Sequence, residues 1–236
     1  MTRLAATMHG DARLQLRQGF YYASAFMLVV MIVVLRQIPA EIQAWILPVV
    51  ILSNVQVNTF YFIAGLVLLE KSEGTLEAQV VTPLRPWEYL ASKVATLTGL
   101  SVVENVLLVV ATYGTGAGTP ALLAGILISS VIFALAGFIA VARYDSINEY
   151  LMPSFLYTSL LSIPLLAYFG LIESRLFDLH PITAPLEMLR VSFDAPMPTR
   201  WTYELTSAAL WIGIGALLAR RHFHRFVIAR EGSRRT

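Results

Sequence analysis

Six long apolar runs constrain this chain more than any other feature. They lie at about residues 20–35, 42–69, 94–113, 120–141, 151–172 and 201–219. A helix needs about 20 consecutive apolar residues to cross the hydrocarbon core of a bilayer. The second run is long enough to tilt or to extend beyond the membrane. The breaks between runs carry turn chemistry: the stretch Gly114-Thr115-Gly116-Ala117-Gly118-Thr119-Pro120 is a tight turn, with Pro120 suited to a first helical turn. The composition agrees. Apolar residues make up 57% and charged residues 14%, where a soluble domain carries roughly a quarter charged. A water-soluble globular fold and a disordered chain are both excluded. The pattern predicts an all-α integral membrane protein with six transmembrane helices, organised as one transmembrane domain over residues 1–236.

The charges give the expected topology. With the N-terminus in the cytoplasm, the inner segments hold Arg3, Arg13, Arg17, Lys71, Arg85, Lys93, Arg143 and the tail arginines 220, 221, 225, 230, 234 and 235. The outer segments hold only Arg36, Arg175, Arg190 and Arg200. Positive loops stay in the cytoplasm, so both termini are expected inside the plasma membrane, in accord with an even number of crossings. The first run is long and lacks a small-residue cleavage site, so it does not read as a signal peptide. No internal repeat is obvious.

Residues 1–19 read as an amphipathic helix lying along the inner leaflet. Leu4, Met8, Ala12 and Leu16 share one side, with Arg3, Arg13 and Arg17 opposite, while Leu14 and Gln15 break the pattern. The plainer alternative is a frayed polar N-terminus. The basic tail, residues 220–236, reads as an anchor to anionic lipid and not as a nucleic-acid site. His222 and His224 are two apart on a helix, point in different directions, and do not read as a metal site.

Several chemistries are closed to the chain. It has no cysteine, hence no disulfide, thiol nucleophile or thiolate metal site. Its two lysines, Lys71 and Lys93, do not follow a glycine, so the Gly-Lys step of a phosphate-binding loop is missing. Paired histidine motifs and a dense Asp/Glu cluster are missing too, so no catalytic site is expected.

The longest inner connection runs from Leu69 to Leu90. Its residues Glu70, Glu73, Gly74, Thr75, Leu76, Glu77, Thr82, Pro83, Leu84, Trp87 and Glu88 resemble the signature of permease subunits of type-2 ABC exporters. That family carries an acid at the end of the second span, then Glu-x-Gly-Thr-Leu-Glu, then Thr-Pro-Leu and a Trp-Glu entering the third span. A second segment, His180-Pro181-Ile182-Thr183 through Glu187 to Arg190, is similar to a segment before the last span of the same family, which often has Asn at the place of His180. The start of the first segment and its Thr-Pro-Leu-Arg-x-Trp-Glu-Tyr-Leu-Ala run look closest to fluoroquinolone-export permeases of actinobacteria.

The resemblance implies the type-2 ABC exporter transmembrane fold. It implies that Glu73 to Val80 form a coupling helix docking in a groove of a cytoplasmic ABC ATPase subunit, with Glu70, Gly74, Thr75, Leu76 and Glu77 in the coupling segment. ATP and magnesium would be bound by that partner and no cofactor by this chain. It further implies a second permease copy, identical or not, and a small hydrophobic substrate such as a drug. Physically, the charges of Glu70, Lys71, Glu73 and Glu77 keep the loop wet, while Leu76 and Val80 offer an apolar stripe. Thr82-Pro83 stops the helix, Pro86 suits the start of the next, and Glu88 sits near its positive end. Trp87 and Tyr89 suit the membrane interface. A plain helical hairpin linker is the simpler alternative. In the shorter connection 143–149, Ser146 and Glu149 have capping-box spacing.

Polar residues inside the spans are candidates for a translocation path. Asn54, Asn58 and Tyr61 form one stripe on the second span, and Ser154, Thr158 and Ser162 one on the fifth. By resemblance these two spans border the central path; otherwise the stripes serve as helix–helix contacts, worth only about 0.6 kcal/mol each. Glu104 lies near the middle of the third span, where a charge costs roughly 2.5–3.5 kcal/mol. It is either a cation- or proton-linked site on the export route or a neutral structural partner to another span, with Asn105 about 100° further round. Pro153 and Pro164 are expected to kink the fifth span, and Tyr157 and Tyr168 can stack on an aromatic drug or simply pack. The rival functions are a proton-coupled secondary carrier using Glu104 and a lipid or polysaccharide exporter.

Overall fold

The computed structural model describes residues 3–75, 86–172, 174–193 and 200–223. Among these residues the regular structure is helical throughout. In chain order the helices are α1 (Arg3–Arg17), α2 (Phe20–Leu35), α3 (Ala40–Gln56), a π-helical turn (Val57–Tyr61), α4 (Phe62–Ser72), α5 (Pro86–Thr112), α6 (Thr119–Val141), α7 (Ile147–Leu161), α8 (Pro164–Tyr168), a 3₁₀ turn (Arg175–Leu179), α9 (Thr183–Val191) and α10 (Trp201–His222).

Four of these stretches are long and apolar enough to cross a membrane: Ala40–Ser72, Trp87–Thr112, Thr119–Val141 and Trp201–His222. Among the described residues, a fifth stretch meets the same measure of length and apolarity if α1 and α2, bent by 63° at their junction, count as one span. The expected count of six is therefore not reached by helix length. The shortfall lies in the first and fifth expected spans. Helix α2 has 16 residues, and the fifth span is split into α7 with 15 residues and α8 with five.

Local chemistry explains most helix ends. Gly19 takes φ +83°, a left-handed backbone open to glycine, and this turns α1 away from α2. The last carbonyls of α2 and its exit turn are met by Gln43, whose Nε2 donates to Leu35 O and Ile38 O at 2.8 Å each. Helix α5 starts at Pro86 with Glu88 in its first turn, and α6 has Pro120 at its N-terminus. Ser146 caps α7 by accepting from Glu149 N at 3.3 Å, as the spacing predicts. The split of the fifth span falls at Ser162-Ile163, ahead of Pro164, whose ring removes a backbone donor.

Helix α6 is the centre of the fold. It packs against α3, the π turn, α4, α5, α9 and α10. Its sequence carries no charge and many small residues, so neighbours approach closely on several sides. The closest approach is at Gly137, where a Cβ would stand 2.5 Å from Phe60 O and 2.9 Å from Phe60 Cα.

Helix α1 differs from the sequence expectation in its packed face. Asp11 and Gln15 are its buried residues, while Leu16, placed on the expected apolar side, is exposed. The reason is the partner surface: α5 presents Ser92, Lys93 and Thr96 there, and these take the polar side of α1. Gln15 Nε2 donates to Thr96 Oγ1 at 2.9 Å.

Candidate functional site

Two polar assemblies stand out, one at the helix ends that flank residues 76–85 and one between the helices.

The first gathers three helices. Lys93 Nζ, on α5, lies 2.6 Å from Glu70 Oε1 on α4 and 3.0 Å from Asp11 Oδ1 on α1. The Tyr89 hydroxyl donates to Glu70 Oε2 at 2.5 Å, and the Lys93 ammonium also sits 4.6 Å from the Tyr89 ring centre. The Ser92 hydroxyl donates to the second Asp11 oxygen. All five residues are buried. Two carboxylates thus share one ammonium out of water, where charges persist only when paired and hydrogen-bonded.

This corrects two sequence expectations. Glu70 does not keep the loop wet; it is closed off at the base of the loop. Tyr89 does not face a membrane interface; it points inward at Glu70, whereas Trp87 is exposed. Asp11 and Ser92 had no assigned role in the sequence reading, and Lys93 only that of an inner positive charge. The only available signal was the interruption of the α1 amphipathic pattern near Gln15.

The neighbouring lysine makes a second tie. Lys71 Nζ donates to Ala142 O at 2.9 Å and Tyr144 O at 2.6 Å, and lies 3.7 Å from Asp145. It joins the end of α4 to the turn between α6 and α7. Beyond it, Gln18 Nε2 reaches Glu73 Oε1 at 3.4 Å, Gly74 carries φ +67°, and the Thr75 hydroxyl donates back to Glu70 O at 3.2 Å. Leu76, Glu77 and Val80 of the expected coupling segment lie outside the described residues.

The second assembly is a seam along α3, the π turn, α5 and α7. Asn54 Nδ2 donates to Asn105 Oδ1 at 3.2 Å, and Asn105 Nδ2 donates to Ser101 O at 2.8 Å. Asn58 Nδ2 donates to Glu104 Oε2. Tyr61 and Thr158 bring their hydroxyls to 3.3 Å, and Ser162 Oγ stands 3.5 Å from Gln56 Oε1. Ser154 turns to its own helix, donating to Leu151 O at 2.6 Å.

The structure therefore divides the expected stripe. Asn54 and Asn58 meet α5, whereas Tyr61 meets α7. The π turn over residues 57–61 accounts for the division, because its wider bonding rotates later residues relative to an α-helix. Asn54, Asn58, Glu104, Ser154 and Thr158 are buried, while Tyr61 and Ser162 are half-buried. In the single chain these side chains, Ser154 apart, hold helices together.

At the opposite end of the bundle, His180 answers the break in the fifth span. Ile182 N donates to His180 Nδ1 at 3.2 Å, so Nε2 carries the proton and donates to Leu160 O at 3.1 Å. That carbonyl would take its helical bond from residue 164, which is proline and has no N–H. Burial pushes the His180 pKa down, partly opposed by its bond to Leu160. Nearby, Tyr168 stacks on Trp45 and donates to Trp45 O at 2.6 Å.

Comparison with known proteins shows the family of the chain. The sequence profile of the fluoroquinolones export permease protein family matches residues 2–231. The chain is also 30% identical over 239 aligned positions to two proteins of Mycobacterium tuberculosis, from strains CDC 1551 and H37Rv. Both are described as fluoroquinolones export permease proteins, and the alignments cover 98% of this chain and 99% of each relative. With its membrane-length helices, the chain is a membrane-embedded export permease and belongs to the fluoroquinolones export permease protein family.

Proposed function

We propose that this chain is the membrane-spanning permease subunit of an ATP-binding cassette exporter and that separate cytoplasmic ATPase subunits drive it. ATP and magnesium belong to those partners. Two permease copies pair across a central path, and the exported substrate is a small hydrophobic drug of the fluoroquinolone kind named for the relatives. The whole chain acts as one permease domain in a bacterial plasma membrane, with both termini cytoplasmic.

One observation carries the reading. The Glu-x-Gly-Thr-Leu-Glu signature is rooted in a buried ionic cluster that joins α1, α4 and α5. A loop that receives a push from another subunit needs a base that does not yield locally. A load passed to Glu70 would reach three helices at once through Lys93, and through Lys71 the turn leading into α7. Residues Glu73, Leu76, Glu77 and Val80 would make the ATPase contact, with Gly74 and Thr75 shaping the approach. Asn54, Asn58, Tyr61, Glu104, Ser154, Thr158 and Ser162 would line the path when the seam opens.

The test is ATP-driven efflux by the complex copurified with its ATPase. Glu73→Lys and Leu76→Ala are expected to abolish efflux while leaving the permease folded and membrane-inserted. Normal efflux in both variants would sink the coupling role. Efflux by the permease alone in liposomes, driven by a pH gradient, would instead establish a secondary carrier centred on Glu104.

A further inference from the structure

A cleft of about 400 Å³ opens between α6, α7 and α10. Phe60, Ala136, Ile139, Tyr157 and Leu161 contribute its walls, and Arg143 stands on its border with His222. A smaller cavity of about 170 Å³ shares Ala136, Ile139 and Leu161 and continues to Ile132 and Trp211. Sharing those three residues, the two abut, and we read them as one groove. Along α6 it runs from residue 132 to residue 143, which is about 16 Å at 1.5 Å per residue.

That length decides between occupants. Half of a bilayer core of about 30 Å is about 15 Å, so the groove is as long as the acyl region of one leaflet. A compact aromatic molecule would leave much of it unfilled. The groove is apolar along its floor and cationic at one end. Arg143 follows the last turn of α6, its guanidinium carbon 5.1 Å from the Tyr144 ring centre and 5.4 Å from that of Tyr157. It makes no ion pair among the described residues, and the acid of its own turn, Asp145, is already with Lys71. The guanidinium thus lies beside two aromatic rings without an acid partner among the described residues, and a planar N–H fork of this kind can take two phosphate oxygens.

We propose that this groove binds one anionic phospholipid, with an acyl chain lying along Ala136, Ile139, Leu161 and Trp211 and the headgroup phosphate on Arg143. The site is separate from the polar seam, and its occupation does not depend on how the exporter is driven. A lipid seated there fills the gap between α6 and α7, which otherwise touch only over a short stretch, and so braces the broken fifth span.

The full chain is purified in detergent with equimolar dioleoyl-phosphatidylglycerol and dioleoyl-phosphatidylcholine, and bound lipid is counted by native mass spectrometry. One phosphatidylglycerol per chain is expected, preferred over phosphatidylcholine by about tenfold. Arg143→Gln, a change at an exposed side chain, is expected to erase the preference and leave a weaker, headgroup-blind lipid. Ala136→Phe, which fills the groove, is expected to lose both lipids; size-exclusion and circular dichroism check its fold. Equal retention of the two lipids by the parent protein would overturn the site, as would a preference that survives Arg143→Gln. Phosphatidylglycerol bound to the monomer but excluded from a dimer would assign the groove to a second copy and overturn it as well.

Discussion

Lys93 Nζ lies 2.6 Å from Glu70 Oε1, and neither side chain reaches solvent. Asp11, 3.0 Å away on the other side of the ammonium, comes from a helix 82 residues earlier in the chain. One lysine therefore fixes the mutual position of α1, α4 and α5. Removing it leaves two carboxylates buried side by side.

Lys93→Met is expected to cost about 3–5 kcal/mol, the range for breaking a buried pair by deleting one partner. Neutralising both acids in the same protein, Asp11→Asn with Glu70→Gln, is expected to recover most of the loss. Thermal unfolding in detergent reads both. A single Lys93→Met variant as stable as the parent would show that the cluster is not the fastening described.

Gly137 and Gly10 separate close packing from helix propensity. A Cβ at residue 137 would meet Phe60 O at 2.5 Å, whereas a Cβ at residue 10 meets nothing within 4 Å. Gly137→Ala is expected to destabilise by about 1–3 kcal/mol through backbone displacement. Gly10→Ala is expected to stabilise α1 by about 0.5–1 kcal/mol. Parallel melting curves of the two variants give the comparison, which fails if both shifts have the same sign.

His180 makes stability depend on pH. Its bond pattern needs the neutral ring, because Nδ1 accepts from Ile182 N. Its folded pKa is lowered by burial, so the unfolded chain binds the proton more readily, with a pKa of about 6.5. The contribution is complete above that value and is lost as the pH falls through the lower folded pKa. His180→Asn can supply a donor and an acceptor, and is expected to remove this pH dependence while keeping the fold. Unfolding midpoints between pH 5 and pH 8 measure the effect, and an Asn variant with the parent's acid sensitivity would exclude His180 as its source.

Glu104 is expected to tolerate loss of charge better than loss of its acceptor. Glu104→Gln keeps an oxygen for Asn58 Nδ2, whereas Glu104→Leu leaves that amide unpaired at a cost of about 1–2 kcal/mol. A double-mutant cycle with Asn58→Ala isolates the pair. Equal stability of the Gln and Leu variants would show that the contact contributes nothing to the fold.

Much of the helical framework is legible residue by residue. Pro86 and Pro120 open helices, the Ser146–Glu149 pair caps one, and Pro164 ends the continuous part of the fifth span. Each of these signals acts within a turn or two of chain, so neighbouring residues suffice to read it. The packed side of α1 is different. Leu4, Met8, Ala12 and Leu16 make an apolar face by periodicity, yet Asp11 and Gln15 are buried because α5 answers with Lys93, Ser92 and Thr96. Nothing near residue 11 announces residue 93. The stripe of Asn54, Asn58 and Tyr61 was readable as polar and inward, but not its division between two neighbours.

The amino-acid sequence alone determines that this chain lies in a membrane, is helical and carries the signature of an export permease. It can do so because a bilayer leaves the backbone no partner but itself, which turns apolar length into helix directly. The tertiary structure decides which polar groups meet: the Asp11–Lys93–Glu70 cluster, the π turn that separates Asn58 from Tyr61, and the groove from Arg143 to Trp211. Those depend on helix rotation and on contacts between residues far apart in the chain, where charge pairing and close packing, rather than local periodicity, fix the outcome.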